Sequence, residues 1–488
     1  MLLNGCGDSA SFITAAPPVQ VVEAPAAGAL GLGDPVLPRL GNGGYQVEHY
    51  NVAMQVTDTG RSFSATTTIS AVAEQALSQF SLDLKGSEVQ EVRVNGSSST
   101  FFRIPGKLVI VPARDLPQGQ PFEVAIGYSA DPVAYTSTYA PVPIGWIPFL
   151  EGSFALGQPD GASAWMPVND HPLDKATYTF EVQVDAGLVV AANGELEEVR
   201  EEGSRRTYVW HSPEPMASYL TTVNVGNFVR REQVGPGGEA IRHYFPATLL
   251  DQTEVEFSRT PEMLGFCTGL FGGYPFSQYG AVVIDAETHG AALECQTMSL
   301  FGRDLLGRPS LEGTQIHELA HQWFGNSISL TTWRDIWLNE GFATYATWLW
   351  YEEQYGEEAY WAQVRGYYEY LQDSESHSAV ANPPANDLFS ATVYYRGALT
   401  LHALREEIGD ELWREGILRY VREHRDGHTT TAEFIAIMEA TAGRSLADLF
   451  DRWIYQVELP VLEMPTLNRE SPFQREFQPV FGCKHRWF

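Results

Sequence analysis

Hydrophobic residues change their period once along this chain. From about residue 41 to 228 they alternate with polar ones in short runs (YQVEHYNVAMQV, SFSATTTISAVA, KLVIVPA, FEVAIGYSA, TYTFEVQVDA, RRTYVWHS, YLTTVNVGNFV) parted by Gly, Pro and Asn. Alternation sends successive side chains to opposite faces of a pleated strand, so one face buries while the other meets water. The pattern predicts an N-terminal all-β domain over 36–228. After Pro246 the segments lengthen to LEGTQIHELAHQWFG, IWLNEGFATYATWLWYEEQYG, ALTLHALREEIGDELWREGILRYVREH and TAEFIAIMEATAG, with apolar residues every three or four positions. They predict a mainly α domain over 229–465, with one strand-like insert, AVVIDAETHGAALECQT, just ahead of the first helix. Two domains also suit 488 residues, since single cores stop growing near about 250–300.

Both ends depart from these patterns. Residues 11–40 are rich in Ala, Pro and Gly, a composition that reads as a linker, with folding starting near Gly41. The start, MLLNGCGDS, resembles the end of a bacterial lipoprotein signal whose cysteine, here Cys6, carries a lipid; residues 1–35 are then signal remnant and tether. That implies the cell envelope or secretion, with a cytoplasmic location as the alternative. Residues 466–488 follow no pattern. No apolar run approaches the roughly 20 residues that span a bilayer. Cys6, Cys267, Cys295 and Cys483 have no paired spacing, so they predict neither a disulfide framework nor a cysteine metal site. A net charge of −30 excludes nucleic acid as a partner.

The stretch HELAHQWFGNSISLTTWRDIWLNEG, residues 317–341, carries the densest chemistry. Helix positions i and i+4 share a face about 5–6 Å apart at Cβ, so His317 and His321 can aim ring nitrogens at one ion. Glu318 lies beside them. Two imidazoles leave a tetrahedral zinc two ligands short; a catalytic site takes one more from the protein and keeps the last position open. Glu340, on the next helix, is the candidate third ligand, and the implied cofactor is one Zn2+ per chain.

HELAHQWFGN followed by WLNEGFATY resembles the zinc aminopeptidases related to aminopeptidase N, gluzincin metallopeptidases akin to leukotriene-hydrolase-type aminopeptidases. The resemblance runs from GDPVLPRLGNGGY to about DLFDRWIYQVELPVL, and implies a saddle-like N-terminal β domain on a thermolysin-like catalytic domain. Many relatives continue into a large C-terminal helical domain, which leaves open how a substrate chamber closes here. AALEC, residues 291–295, stands where relatives carry Gly-Ala-Met-Glu-Asn; Ala292 and Glu294 match, Leu293 is a mild change, and Ala291 and Cys295 depart. By resemblance Glu294 binds the substrate's free α-amine while the strand pairs with the peptide, and Cys295 lies beside that site. VYYRGALTLHAL contains the Tyr-x-x-Gly-Ala run in which relatives place a catalytic tyrosine, which falls on Tyr394, with Tyr395 its nearest competitor. GQPDGASAWMPVNDHP resembles the segment ending in Pro-Cys-x-Asp-x-Pro, with Val168 in place of Cys; nine residues before Pro167 stands Gln158, a position that in relatives helps hold the amine. Asp335 is a candidate partner for a ligand histidine, with simple solvation the alternative.

These residues imply a hydrolase of peptides with a free N-terminus. Zinc on His317, His321 and Glu340 polarises the carbonyl and activates water, Glu318 is general base, Tyr394 steadies the oxyanion, and Glu294 with Gln158 admits one residue before the cut. The same zinc site in a relative opens a lipid epoxide, and an endopeptidase would lack the amine ruler. A catalytically inactive binding module is expected to have lost some of His317, Glu318, His321, Glu340 or Tyr394; all five are present.

Overall fold

The computed structural model of the protein describes residues 24–374 and 378–465; the anchor reading of Cys6 and the tail 466–488 lie outside the described residues. The alternating half forms sheets, as its period requires. Strands Tyr45–Thr57 and Ser62–Ala73 pair antiparallel at the middle of an eight-stranded sheet, and Ala176–Asp185 runs parallel to the first. Along Tyr45–Thr57, Tyr45 and Val47 face the core, and so do Tyr50, Val52, Met54 and Val56. The slip in phase between Val47 and Tyr50 falls at a bulge, where one extra residue re-aims every side chain beyond it. Two four-stranded sheets complete this half.

Residues 24–40 are not the linker that their composition suggests. Ala26–Ala27 pairs with strand Leu77–Asp83, Leu37 and Leu40 are buried, and Asp34 organises the rest. Its carboxylate accepts from Val36 N (2.8 Å) and Leu37 N (2.7 Å), lies 3.1 Å from His171 Nε2, and accepts from Trp333 N (2.7 Å) in the helical half. Composition measures apolar area, whereas this segment is held by one carboxylate meeting several donors and by backbone packed on backbone. A Cβ on Gly31 would fall 2.2 Å from Pro38 O.

The second half is mainly helical but holds more sheet than one insert. Five strands run in the order Phe228–Val234, Ala240–Pro246, Gln278–Ile284, Ser299–Gly302, Ala292–Leu293, the middle pairs parallel and both outer pairs antiparallel. Gln278–Ile284 is buried at every position, so it has no alternation to read. Among the described residues Ala292–Leu293 pairs only with Ser299–Gly302, at the end of the sheet, and both of its residues line the hollow described below. Helix Leu311–Ala320 packs against helix Trp337–Tyr355, which is buried on all sides from Trp337 to Trp350. One apolar cluster runs through both halves, and Lys175 of the β half donates to Asn326 O (3.0 Å) and Ser327 O (2.9 Å) of the helical half. No helix among the described residues is long and apolar enough to cross a membrane.

Candidate active site

Helix Leu311–Ala320 ends one residue before His321, yet His321 keeps helical angles (φ −57°, ψ −24°), so the four-residue spacing still puts both imidazoles on one face. Their Nε2 atoms each lie 3.3 Å from Oε2 of Glu340, which comes from the first turn of helix Trp337–Tyr355. His321 Nδ1 donates to Phe324 O (3.0 Å), which turns Nε2 toward the site; burial lowers the proton affinity of this imidazole, but the charges of Glu340 and Glu294 outweigh it and push His321 up to about 10. Burial pushes His317 down to about 4 and so keeps it in the neutral, ligating form. All three residues are buried, and Glu340 Oε1 has no hydrogen-bond partner. Two imidazole nitrogens and a carboxylate with an orphaned oxygen, their ligand atoms within 4.8 Å of one another, form a donor set that fits Zn2+.

Glu318 leaves the same helix beside His317 and, with Glu294 and His321, places ligand-type atoms within 4.8 Å of each other. Burial raises the Glu318 carboxyl well above the usual carboxylate range. Burial also pushes Glu294 up to about 7, with the Glu340 charge adding to it against the pull of His321. Three buried carboxylates gathered around His321 make a site that favours cations, and a dication there opposes these upward shifts.

Glu294 follows the edge strand Ala292–Leu293, and Gln158 of the β half reaches across to donate Nε2 to its Oε1 at 3.0 Å. The Glu294 main chain is pinned from the zinc motif itself: Asn326 Nδ2 and Gln322 Nε2 both donate to its carbonyl (2.7 and 3.1 Å), while Gln322 Oε1 accepts from Thr297 N (2.9 Å). Cys295 is buried next to it, as expected. Beside Gln158 an apolar hollow is lined by Val142, Ile144, Leu156, Leu293, Phe389 and Tyr394.

The two tyrosines separate clearly. Tyr394 faces the hollow, its ring parallel to that of His317 at 5.8 Å, whereas Tyr395 points away and packs on Tyr367 (4.3 Å). Both sit in a five-residue π turn, Thr392–Arg396. Its exit, Gly397, meets Gly341 backbone to backbone: a Cβ on Gly341 would lie 2.9 Å from the Gly397 carbonyl carbon. Paired glycines thus bring the Tyr394 turn against the helix that carries Glu340.

Asp335 does not reach a ligand histidine. Its Oδ1 accepts from Thr431 N (3.1 Å) and Thr431 Oγ1 (2.6 Å), so it fastens the start of helix Thr431–Ala442 instead. Spacing placed it near the histidines in sequence, but the 3-10 turn Trp333–Asp335 points it the other way. Sequence reasoning missed Gln322, Asn326 and Arg396. The first two lie inside the quoted motif as polar residues with no role, the only signal they gave.

Residues 255–453 match the model of the Peptidase family M1 domain, and residues 46–220 that of the Peptidase M1 N-terminal domain. An M1 zinc metallopeptidase from Deinococcus radiodurans has a solved structure that aligns with a TM-score of 0.82 at 30% identity, covering 89% of this chain and 100% of that one. A mutant of that protein is solved bound to a Tyr-Ser-Ala substrate. Among curated relatives, the probable M1 family aminopeptidase 1 of Encephalitozoon cuniculi is 26% identical over 465 residues, 86% of this chain and 52% of its own. Leukotriene A-4 hydrolase of Xenopus laevis is 25% identical over 80% of this chain and 67% of its own. The chain thus spans about half the length of the first curated relatives it matches.

Proposed function

Since the chain belongs to peptidase family M1, we propose that it is a zinc-dependent aminopeptidase that removes single residues from the free N-terminus of peptides. The observation that carries this reading is the Gln158–Glu294 hydrogen bond, which joins a residue lining the apolar hollow to a carboxylate clustered with Glu318 and with His321 of the metal-ligand set. Zinc held by those three residues supplies Lewis acidity toward the scissile carbonyl and toward water.

This chain's own residues do the rest. The Glu294 carboxylate and the Gln158 amide take the substrate ammonium, and its bond to Glu294 fixes how far the first residue enters. The outer edge of Ala292–Leu293 pairs with the peptide backbone as an added strand. Glu318 accepts the proton of the attacking water and hands it to the leaving nitrogen, a role suited to a buried carboxylate standing next to both ligand histidines. The Tyr394 hydroxyl donates to the carbonyl oxygen as charge grows on it. The first side chain enters the hollow of Val142, Ile144, Leu293 and Phe389, which favours apolar residues over charged ones. The likeness of the Deinococcus structure with a bound tripeptide supports a peptide substrate.

The test is an assay of purified protein on a panel of fluorogenic aminoacyl amides, with metal content measured. One zinc per chain, hydrolysis strongest on apolar residues, loss on chelation and return on zinc addition are expected. A zinc-loaded protein that releases no N-terminal residue from any member overturns the reading.

A further inference from the structure

Arg396 is a buried cation whose bonds all go to main-chain carbonyls. It is 3% exposed. Nε donates to Trp453 O (2.8 Å), Nη1 to Val457 O (2.6 Å), and the two hydrogens of Nη2 are shared among Arg452 O (2.9 Å), Gln456 O (2.8 Å) and Glu458 O (2.8 Å). All five acceptors belong to one short segment, 452–458, where the helical turn Asp451–Tyr455 ends and the chain runs on extended. Carbonyls at a helix end lack partners within the helix and carry its negative pole, so they can compensate a guanidinium where water is scarce. Only the planar fork of arginine offers five donors; an ammonium has three.

Arg396 is also the last residue of the π turn whose middle member is Tyr394. Single π turns are strained insertions that persist where neighbours hold them. Here the neighbours are identifiable: Tyr395 is wedged against Tyr367 and Tyr370, Gly397 abuts Gly341, and the Arg396 side chain grips 452–458. Segment 452–458 is itself tied down, since Ile454 O accepts from Ala381 N (2.9 Å). The Tyr394 ring stands only half-buried, so the placement of its hydroxyl depends on the turn beneath it.

We propose that Arg396 is a positioning residue: by gripping the carbonyls of 452–458 it sets the register of the π turn and so places the Tyr394 hydroxyl for the reaction. Segment 452–458, distant from the zinc motif in sequence, is then part of the catalytic apparatus. The inference rests on the Tyr394 role proposed above.

The experiment measures kcat and KM of the zinc-loaded full chain for Arg396→Lys, alone and combined with Tyr394→Phe. Lysine keeps the charge but cannot reach five acceptors, and kcat is expected to fall roughly 10- to 100-fold with KM within about threefold. In the Tyr394→Phe background the same change costs almost nothing more, because the hydroxyl it positions is gone. A glycine inserted between the exposed residues Gln456 and Val457 displaces two acceptors without touching Arg396, and should give the same pair of results even if Arg396→Lys fails to fold. Equal losses in both backgrounds mark Arg396 as merely structural and overturn the proposal, and so does wild-type kcat in either variant that folds. If Tyr394→Phe alone keeps wild-type kcat, the Tyr394 role falls, and the positioning role with it.

Discussion

Substituting Gly341 by alanine puts one methyl where the structure has room for none. Its Cβ would stand 2.9 Å from the Gly397 carbonyl carbon, 3.0 Å from the Gly397 Cα and 3.3 Å from Ala398 N. Favourable carbon contacts begin near about 3.5 Å, so the helix bearing Glu340 and the turn bearing Tyr394 must part by roughly 0.5 Å. Two effects then oppose each other. Alanine is better than glycine inside a helix by about 1 kcal/mol, whereas overpacking a tight contact costs about 1–3 kcal/mol. The atoms struck are backbone on both sides and cannot swing away, so overpacking wins, by about 1 kcal/mol. Activity should suffer more than stability, because the proposed zinc ligand and the proposed oxyanion donor sit on opposite sides of the contact. If a 1 Å misplacement costs about 10², half of that costs roughly tenfold in kcat. Thermal melting and steady-state kinetics measure the two quantities, with zinc per chain checked alongside. Wild-type melting and wild-type kcat would show that the contact accepts a methyl without strain; a lower melting temperature with unchanged kcat would show that the strain does not reach the site.

Glu318→Gln is expected to keep zinc while kcat falls by at least about 10², since it removes a proton acceptor and no ligand; His317→Ala should lose metal and activity alike. A glutamine variant within a few-fold of wild type would contradict the general-base role. Tyr394→Phe should lower kcat by roughly 10² to 10³ with little change in KM, while Tyr395→Phe, whose ring packs on Tyr367, stays near wild type. Equal effects at the two positions would exclude the assignment. Burial, with the charge of Glu294 adding to it, raises the Cys295 thiol well above its ordinary value, so iodoacetamide should leave the folded enzyme active; rapid inactivation that substrate prevents would contradict this.

The periods of the hydrophobic pattern made the two halves legible, because a strand with one wet face and a helix with one apolar stripe must each show their repeat. The central strand Gln278–Ile284, covered on both faces, has no repeat to show, and so the catalytic half holds more sheet than expected. The meeting of His317 and His321 was legible because a four-residue spacing on a helix puts both on one face, and the structure brings Glu340 to them. Tyr394 and Gln158 needed the resemblance, since neither has a spacing of its own; the structure sets both at the hollow and turns Tyr395 away. Asp335 was misplaced and Arg396 unnoticed for one reason: each bonds a segment some way along the chain, Thr431 in one case and 452–458 in the other. Residues 24–40 hid their packing in the same way, behind a carboxylate that binds Trp333.

Glu294 is proposed to read the substrate's ammonium. A charge-assisted hydrogen bond to a carboxylate that is 2% exposed is worth about 1.5–3 kcal/mol, or roughly 10- to 150-fold in kcat/KM. The direct measurement is kcat/KM for a dipeptide amide with a free and with an acetylated amine, on wild type and on Glu294→Ala. Acetylation removes the charge, leaves Glu294 without an ammonium partner, and adds bulk beside Gln158, which bonds Glu294. Wild type should therefore prefer the free amine by at least that factor, and Glu294→Ala should lose most of the preference by weakening the free substrate more than the capped one. A wild-type enzyme that cuts both equally well would contradict the account and point to an endopeptidase.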